Sequence, residues 1–341
     1  MPFRDLIDQR HARALLQGAL RSKRVSHAYL FVGPSGVGRL TTARAFAQAL
    51  LCVSGGDDAC GRCPACRKVI AGTHPDLRII SAGRSESGAE RRAVGIDQIR
   101  ELRREAAYGP YEGPRKVFVV EDAEAMRAEA ANSLLKIVEE PPSGIVIVLI
   151  SESVTALLPT LVSRSQLVRF SFVPAPAVAR ALTERAGVSE DRAVFLAALS
   201  GGRVGAALAA ATAGDAPFDR RADVLRTLEV ASCGDVVQRL DAAEAVARQK
   251  DGIEEWLDVA LLWVRDVVVW QETRDPAQLA NVDARAEVIT WAARTAPAAL
   301  RRAAAAIEEA KANLRRNLNP RLVLETLFAA MDLGVAETER R

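Results

Sequence analysis

Along the first half of the chain, short, largely apolar runs alternate with stretches in which apolar residues recur every three or four positions. The runs are Ala28–Val32, Leu77–Ile80, Val117–Val120, Ile145–Ile150 and Leu167–Phe170. Val117–Val120, a continuous apolar run, predicts a strand buried on both faces as in a parallel sheet, Ile145–Ile150 a further buried strand, and the others, two of them containing an arginine, further strands of the sheet. Between them, helical spacing over Phe3–Leu20, Thr41–Leu50, Ile96–Ala107 and Ala130–Val138 predicts the covering helices. The last of these stops before Pro141-Pro142, because a residue preceding proline avoids the α region. Ser81 to Ala93 reads as a polar, glycine-containing loop, and Leu158–Val162 runs into Ser163-Arg164-Ser165. Pro174-Ala-Pro176 reads as a linker, beyond which strand-like runs cease. Helical spacing then covers Ala177–Thr212, interrupted at Gly201-Gly202, and Arg221–Leu333. Trp256, Trp263 and Trp270 recur every seven residues and so share one helical stripe, a core or helix interface rather than a base-stacking platform. The pattern divides the chain into an α/β part, 1–173, and helical parts, 174–215 and 216–341.

With 341 residues, 49% hydrophobic and 26% charged, the chain can bury more than one core. A net charge of +3 and a pI near 8.7 neither demand nor exclude a nucleic-acid partner. On that question Arg100, Arg103 and Arg104 read as a solvated helix face, with contact to a phosphate backbone as the alternative. No basic segment followed by an apolar core opens the sequence, and no apolar run reaches the roughly 18 residues of a membrane span, so a cytoplasmic protein with no membrane partner is expected. In a reducing compartment, cysteines crowded between Cys52 and Cys66 argue for metal before disulfides. Their spacing is C-x7-C-x2-C-x2-C, and Gly55, Gly56, Gly61 and Pro64 supply turns that let Cys52, Cys60, Cys63 and Cys66 close a tetrahedron. No open coordination position is left, so a structural Zn2+ is expected; metal-free thiols or an iron–sulfur cluster are the other readings. Cys233 stands alone and is expected to be a buried apolar residue. His27, just before the first strand, reads as a structural hydrogen-bonder.

The chemistry is concentrated where the first strand meets its helix. Gly33 to Thr42 read GPSGVGRLTT, a glycine turn whose N–H groups, backed by a helix dipole, suit phosphate oxygens. Gly33, Gly36 and Gly38 fit the P-loop pattern, but the Lys and hydroxyl positions hold Arg39 and Leu40. Arginine keeps the charge in a larger planar fork, and leucine cannot ligate magnesium. Thr41 follows one residue late, about 100° round the helix. Glu121-Asp122 ends an apolar strand, where parallel sheets bind ligands, although the Walker B order is Asp-Glu. A glycine turn without a ligand is the competing reading.

The P-loop, the acidic strand end, the Ser-Arg-Ser turn and the trailing helices together resemble the AAA+ family. More narrowly the chain resembles bacterial DNA polymerase III clamp-loader subunits, gamma/tau and delta-prime. The resemblance is carried by His27–Phe31 with the P-loop, the four cysteines after its helix, Ala131–Lys136 with Glu139–Pro142, Ser163–Ser165 and Asn317–Glu325. The altered Walker A, Ile96–Arg100 and Ala130–Asn132 look like the delta-prime branch; Ser165 departs from the Ser-Arg-Cys usual in the family. The resemblance implies a P-loop sheet with an inserted zinc module at 52–66, a helical lid at 174–215 and a helical collar for oligomerisation at 216–341. It implies gamma/tau and delta subunits, the sliding clamp and primer–template DNA as partners through the complex. ATP and Mg2+ would act at neighbouring subunits, this chain's own site being degenerate, and Arg164 would serve a neighbour's nucleotide in trans. An ATP-hydrolysing motor subunit of gamma/tau type, or a zinc-dependent DNA-binding protein, are the alternative functions.

Overall fold

The computed structural model describes residues 1–82, 94–249 and 252–331. Most of the expected loop Ser81–Ala93, from residue 83 on, lies outside the described residues, as does the end of the helical stretch predicted to Leu333. The described chain forms two units, Met1–Val173 with Arg203–Gly205, and Pro174–Gly202 with Ala206–Arg341.

In the first unit the apolar runs become β1 (Ala28–Val32), β2 (Leu77–Ile80), β3 (Lys116–Val120), β4 (Ile145–Ser151) and β5 (Gln166–Arg169). They pair in parallel in the order β2-β3-β4-β1-β5. The helices of this unit are α1 (Arg10–Arg21), α2 (Arg39–Leu51), α3 (Pro64–Ala71), α4 (Ile96–Ala107), α5 (Ala128–Glu139) and α6 (Pro159–Arg164). Because side chains alternate along a strand, Tyr29 and Phe31 enter one core with Leu16 of α1 and Phe46 of α2. Leu30 points the other way, into a core with Ile99 of α4, Phe118 and Leu134 of α5. Each such fully buried side chain stabilises the fold by about 1.5–3 kcal/mol, which explains why uninterrupted apolar runs are needed here. The central strand β1, directly before the glycine turn, is buried along its whole length.

The first predicted helix is corrected by the structure. Phe3–Leu20 is not continuous: a 3-10 turn at Phe3–Asp5 is followed by Asp8 and Gln9 at φ 57° and 54°, and α1 begins only at Arg10. The break serves a tertiary contact, since Gln9 Nε2 donates to the carbonyls of Val37 (3.2 Å) and Ser171 (2.7 Å). At the start of β2, Asp76 is wholly buried and accepts the N–H groups of Tyr111 (2.5 Å), Glu112 (2.8 Å) and Gly113 (2.8 Å). It thereby fixes the turn that leads into β3.

The second unit is helical: α7 (Ala175–Ala186), α8 (Glu190–Leu199), α9 (Val204–Thr212), α10 (Ala216–Cys233), α11 (Val236–Ala247), α12 (Ile253–Thr273), α13 (Arg285–Arg294), α14 (Pro297–Arg315) and α15 (Pro320–Ala330). The first residues of α9 belong to the first unit. Gly201 and Gly202 adopt φ 57° and 83°, a left-handed pair that ends the helical run as the sequence indicates. The tryptophan stripe lies on α12 and is core: Trp256 packs on Phe328 (5.5 Å between ring centroids) and Trp263 meets Trp291 edge-on (6.1 Å). Cys233 is another correction, because it is exposed. It is the last residue of α10, and Ala231 and Ser232 just before it are the ones turned inward.

Candidate functional site

The glycine turn connects β1 to α2 as expected, with Gly36 at φ 76° and Gly38 at φ 99°. Both angles are left-handed and favour glycine. Gly33 needs its missing side chain for another reason, since a Cβ there would lie 2.5 Å from the carbonyl oxygen of Phe170. The turn's carbonyls are tied away from its mouth. Gly36 O accepts from Gly205 N (3.0 Å), Val37 O from Gln9 Nε2 (3.2 Å), and Gly38 O from both the N–H (2.9 Å) and the hydroxyl (2.9 Å) of Thr42. The N–H groups that begin α2, Arg39, Leu40 and Thr41, have no intrahelical acceptor, and Gly38 offers no side-chain cap. The start of α2 therefore carries uncapped backbone donors, although Gly33 N already donates to Ser151 O.

Arg39 is 7% exposed, unusually buried for a guanidinium. Its Nη2 lies 3.7 Å from Glu152 Oε1, while its Nη1 is buried with no hydrogen-bond partner. Glu152 follows Ser151, the last residue of β4, whose carbonyl accepts from Gly33 N (3.3 Å). The Arg39 side chain thus reaches from the end of the loop back to the strand beside its start. Glu152 is held in turn by Glu124, whose Oε1 accepts from its N–H (3.0 Å). Leu40 packs against the core of the first unit, and Thr41 is half-buried beside it. At the end of β3, Glu121 is half-buried and its carboxyl is pushed up from the ordinary value, by burial first and by Asp122 second, against the pull of Arg44. Asp122 is exposed at φ 48°. A Mg2+ ion would thus find a leucine at position 40, where the pattern places its hydroxyl ligand, and the start of α2 suits a phosphate group better than the metal.

The four cysteines do come together. Their sulfurs all lie within 4.8 Å of one another, with Cys52 to Cys63 at 4.0 Å and Cys60 to Cys66 at 3.9 Å. A tetrahedron with Zn–S bonds of about 2.3 Å has edges of about 3.8 Å, so the set fits that ion. The N–H groups of Cys60, Cys63 and Cys66 donate to the sulfurs of Cys52, Cys60 and Cys63, each at 3.4 Å. Such donors orient thiolates and offset their charge. Cys60 is pushed down to about 5, chiefly by the Ser54 hydroxyl, whereas burial pushes Cys66 up to about 12. Protein donors alone do not favour all four thiolates, and a divalent cation would. Cys52 caps α2 and Cys63 caps α3, so the cluster joins the far end of the loop's helix to its neighbour.

Arg164 ends α6 with its side chain 42% exposed, its Nη2 3.2 Å from Glu139 Oε1 and its Nη1 donating to Thr160 O (3.3 Å). It is remote in sequence from the loop and is held by α5 and α6. Sequence reasoning missed Glu152, although the rule that singled out Glu121, an acid at the carboxyl end of a parallel strand, applies to it equally. It also missed Gln9 and Gly205, whose contacts with the loop leave no local signal.

These features define an α/β protein with a glycine turn between its first strand and helix, leucine where the P-loop pattern has a hydroxyl, and a four-cysteine cluster. Residues 8–174 match the family model described as "DNA polymerase III, delta subunit", and residues 217–331 match "DNA polymerase III, delta subunit, C terminal". A delta' subunit of DNA polymerase III from Bacillus subtilis is 30% identical over 94% of this chain and 95% of its own length. The gamma/tau subunit of Mycobacterium tuberculosis is 31% identical over 98% of this chain, which spans 61% of that relative's length. A gamma subunit-related protein of Thermotoga maritima covers 95% of this chain and 98% of its own at 20% identity, with a TM-score of 0.41. The chain belongs to the DNA polymerase III delta' family, to which the gamma/tau subunits are related.

Among the described residues no helix is long and apolar enough to cross a membrane.

Proposed function

We propose that this protein is the stationary, delta-prime subunit of a cytoplasmic DNA polymerase III clamp loader of AAA+ architecture. It assembles with gamma/tau and delta subunits, and through the complex it helps to place the sliding clamp on primer–template DNA. ATP and Mg2+ act at its neighbours, while residues 174–215 form the lid, 216–341 form the collar, and Zn2+ braces the module at 52–66. Arg164 presents its guanidinium to the adjoining subunit's nucleotide, exchanging Glu139 for the phosphate charge. The observation that carries this reading is the combination of a delta' relative matched over nearly the whole of both chains with Leu40 in the magnesium-binding position.

The motor-subunit alternative makes the opposite demand on the isolated chain. Phosphoryl transfer depends on placement and electrostatics, and both the metal ligand and the phosphate-reaching group are altered here. Purified protein should show no steady-state ATPase activity. Hydrolysis that survives purification to homogeneity and is abolished by Glu121→Gln would overturn the proposal and favour the motor subunit. Co-purification with gamma/tau and delta tests the partners directly.

A further inference from the structure

The strand order leaves β2 at one end of the sheet, with β3 as its neighbour on one side and no strand on the other. The N–H groups of Val117 and Glu121 reach the carbonyls of Asp76 and Ile80, each at 2.8 Å. Backbone groups of successive strand residues point to opposite edges, so those of Leu77 and Ile79 face away from β3. Leu77 N is taken up by His74 O (3.1 Å), while Leu77 O and both backbone groups of Ile79 have no partner among the described residues. An open edge of this kind is a template for another strand. Side chains on β2 divide in the same way. Arg78 lies on the face covered by α4, paired with Glu101 (2.8 Å) and Glu105. Leu77 and Ile79 lie on the other face, where with Leu40 and Arg44 of α2 and Val69 and Ile70 of α3 they line a groove of about 640 Å³. Ile70 is apolar yet 60% exposed. Arg44 is exposed and enters no salt bridge among the described residues.

We propose that β2 and this groove form a docking site for an extended, acidic segment of another protein, which adds to the sheet as a strand beside β2. Its backbone pairs with Leu77 O and with the N–H and C=O of Ile79. Alternate apolar side chains fill the groove between α2 and α3, and an Asp or Glu meets Arg44. The charge of the groove selects the acid, because Arg44 is the one charged side chain in its lining. A small apolar ligand could fill the groove but would leave the strand edge unpaired, and a helix keeps its backbone groups to itself. An extended chain answers both observations. This surface goes beyond the clamp-loader reading and does not depend on it.

The test is selection of a display library of random twelve-residue peptides on the intact protein, followed by titration of the selected peptides, synthesised with a fluorescent label. They should alternate apolar residues with polar ones and carry at least one Asp or Glu. Ile70→Asp, at an exposed position that the fold does not need, should weaken binding about tenfold by placing a like charge in the groove. Arg44→Glu should weaken it about three- to tenfold and reduce its dependence on salt. Ile79→Pro removes an N–H that the sheet does not use and should cost about two- to tenfold, the worth of a hydrogen bond. Should Ile79→Pro not fold, the same loss should appear when the peptide is N-methylated at alternate residues. The proposal is overturned if no selected peptide binds at about 100 μM, if the selected peptides are basic, or if Ile70→Asp and Arg44→Glu both leave affinity unchanged. It is overturned too if the protein alone forms a dimer that Ile70→Asp abolishes, which would make a second copy the occupant. Any of these results leaves the proposed function standing, whereas ATP hydrolysis by the isolated chain would strike at that function and leave peptide docking untouched.

Discussion

A carboxylate with no exposed surface would ordinarily cling to its proton. For Asp76, burial does push the carboxyl upward, but the N–H groups of Tyr111, Glu112 and Gly113 outweigh it and hold the group below its usual value. A folded value lower than the unfolded one gives stability that is present above the unfolded pKa and disappears as pH falls through the folded one. Urea denaturation of the parent should therefore show stability falling below about pH 4, and Asp76→Asn should flatten that dependence. At neutral pH the same variant should lose about 2–3 kcal/mol, because its amide can accept only weakly from two of the three donors. A variant as stable as the parent at pH 7 would mean that the turn before β3 is held by other contacts. At this scale the sequence was informative about chemistry and silent about partners. Cys52, Cys60, Cys63 and Cys66 could be chosen from spacing alone, because a tetrahedral ion needs ligands brought close by turns. The partner of Arg39 could not, because Glu152 lies more than a hundred residues away and only the pairing of β1 with β4 brings it near.

The helix α2 links two features of the first unit, the glycine turn at its start and, at its end, one of the four clustered cysteines that could hold a metal ion. An ion closed by four thiolates would contribute folding energy directly, so its removal should be felt along this helix. Untagged protein should contain close to one equivalent of zinc by elemental analysis. Cys66→Ser should raise hydrogen exchange across α3 and the last turn of α2 while leaving α12 protected. Equal exchange throughout, or four thiols that titrate freely in the parent, would show that the cluster holds no metal. The elements themselves were largely legible beforehand, because the central strands β1, β3 and β4 are buried along their length and read as nearly unbroken apolar runs, whereas the edge strands β2 and β5 each carry an arginine and are only partly buried. What misled was local: helical spacing persists through Asp8 and Gln9, yet a hydrogen bond to Ser171 repays the chain for leaving the helix there. Cys233 was misjudged because it was assigned from its residue type and isolation, whereas as the last residue of α10 it is exposed while Ala231 and Ser232 before it are buried.

For the molecule as a whole the decisive question is what its surface gives to a neighbour. Arg164→Ala should leave folding and zinc content intact and lower both the DNA-stimulated ATPase and the clamp-loading rate of a reconstituted complex. A trans arginine contributes roughly 10³ to 10⁵ in rate at its own site, and in a complex whose other subunits supply their own the measured loss should be partial. Unchanged rates would reduce Arg164 to its ion pair with Glu139. The order of the sheet has a consequence of a different kind, for biosynthesis. β1 is the first strand to leave the ribosome, yet it pairs only with β4 and β5, the last two. Until residue 151 has emerged, the wholly apolar segment Ala28–Val32 has no strand beside it, while β2 and β3 can already join. Pairing so distant in sequence is slow and leaves sticky surface open meanwhile. Nascent chains stalled short of β4 should consequently bind a holdase chaperone or yield to protease around β1. Chains stalled with β5 clear of the exit tunnel should not.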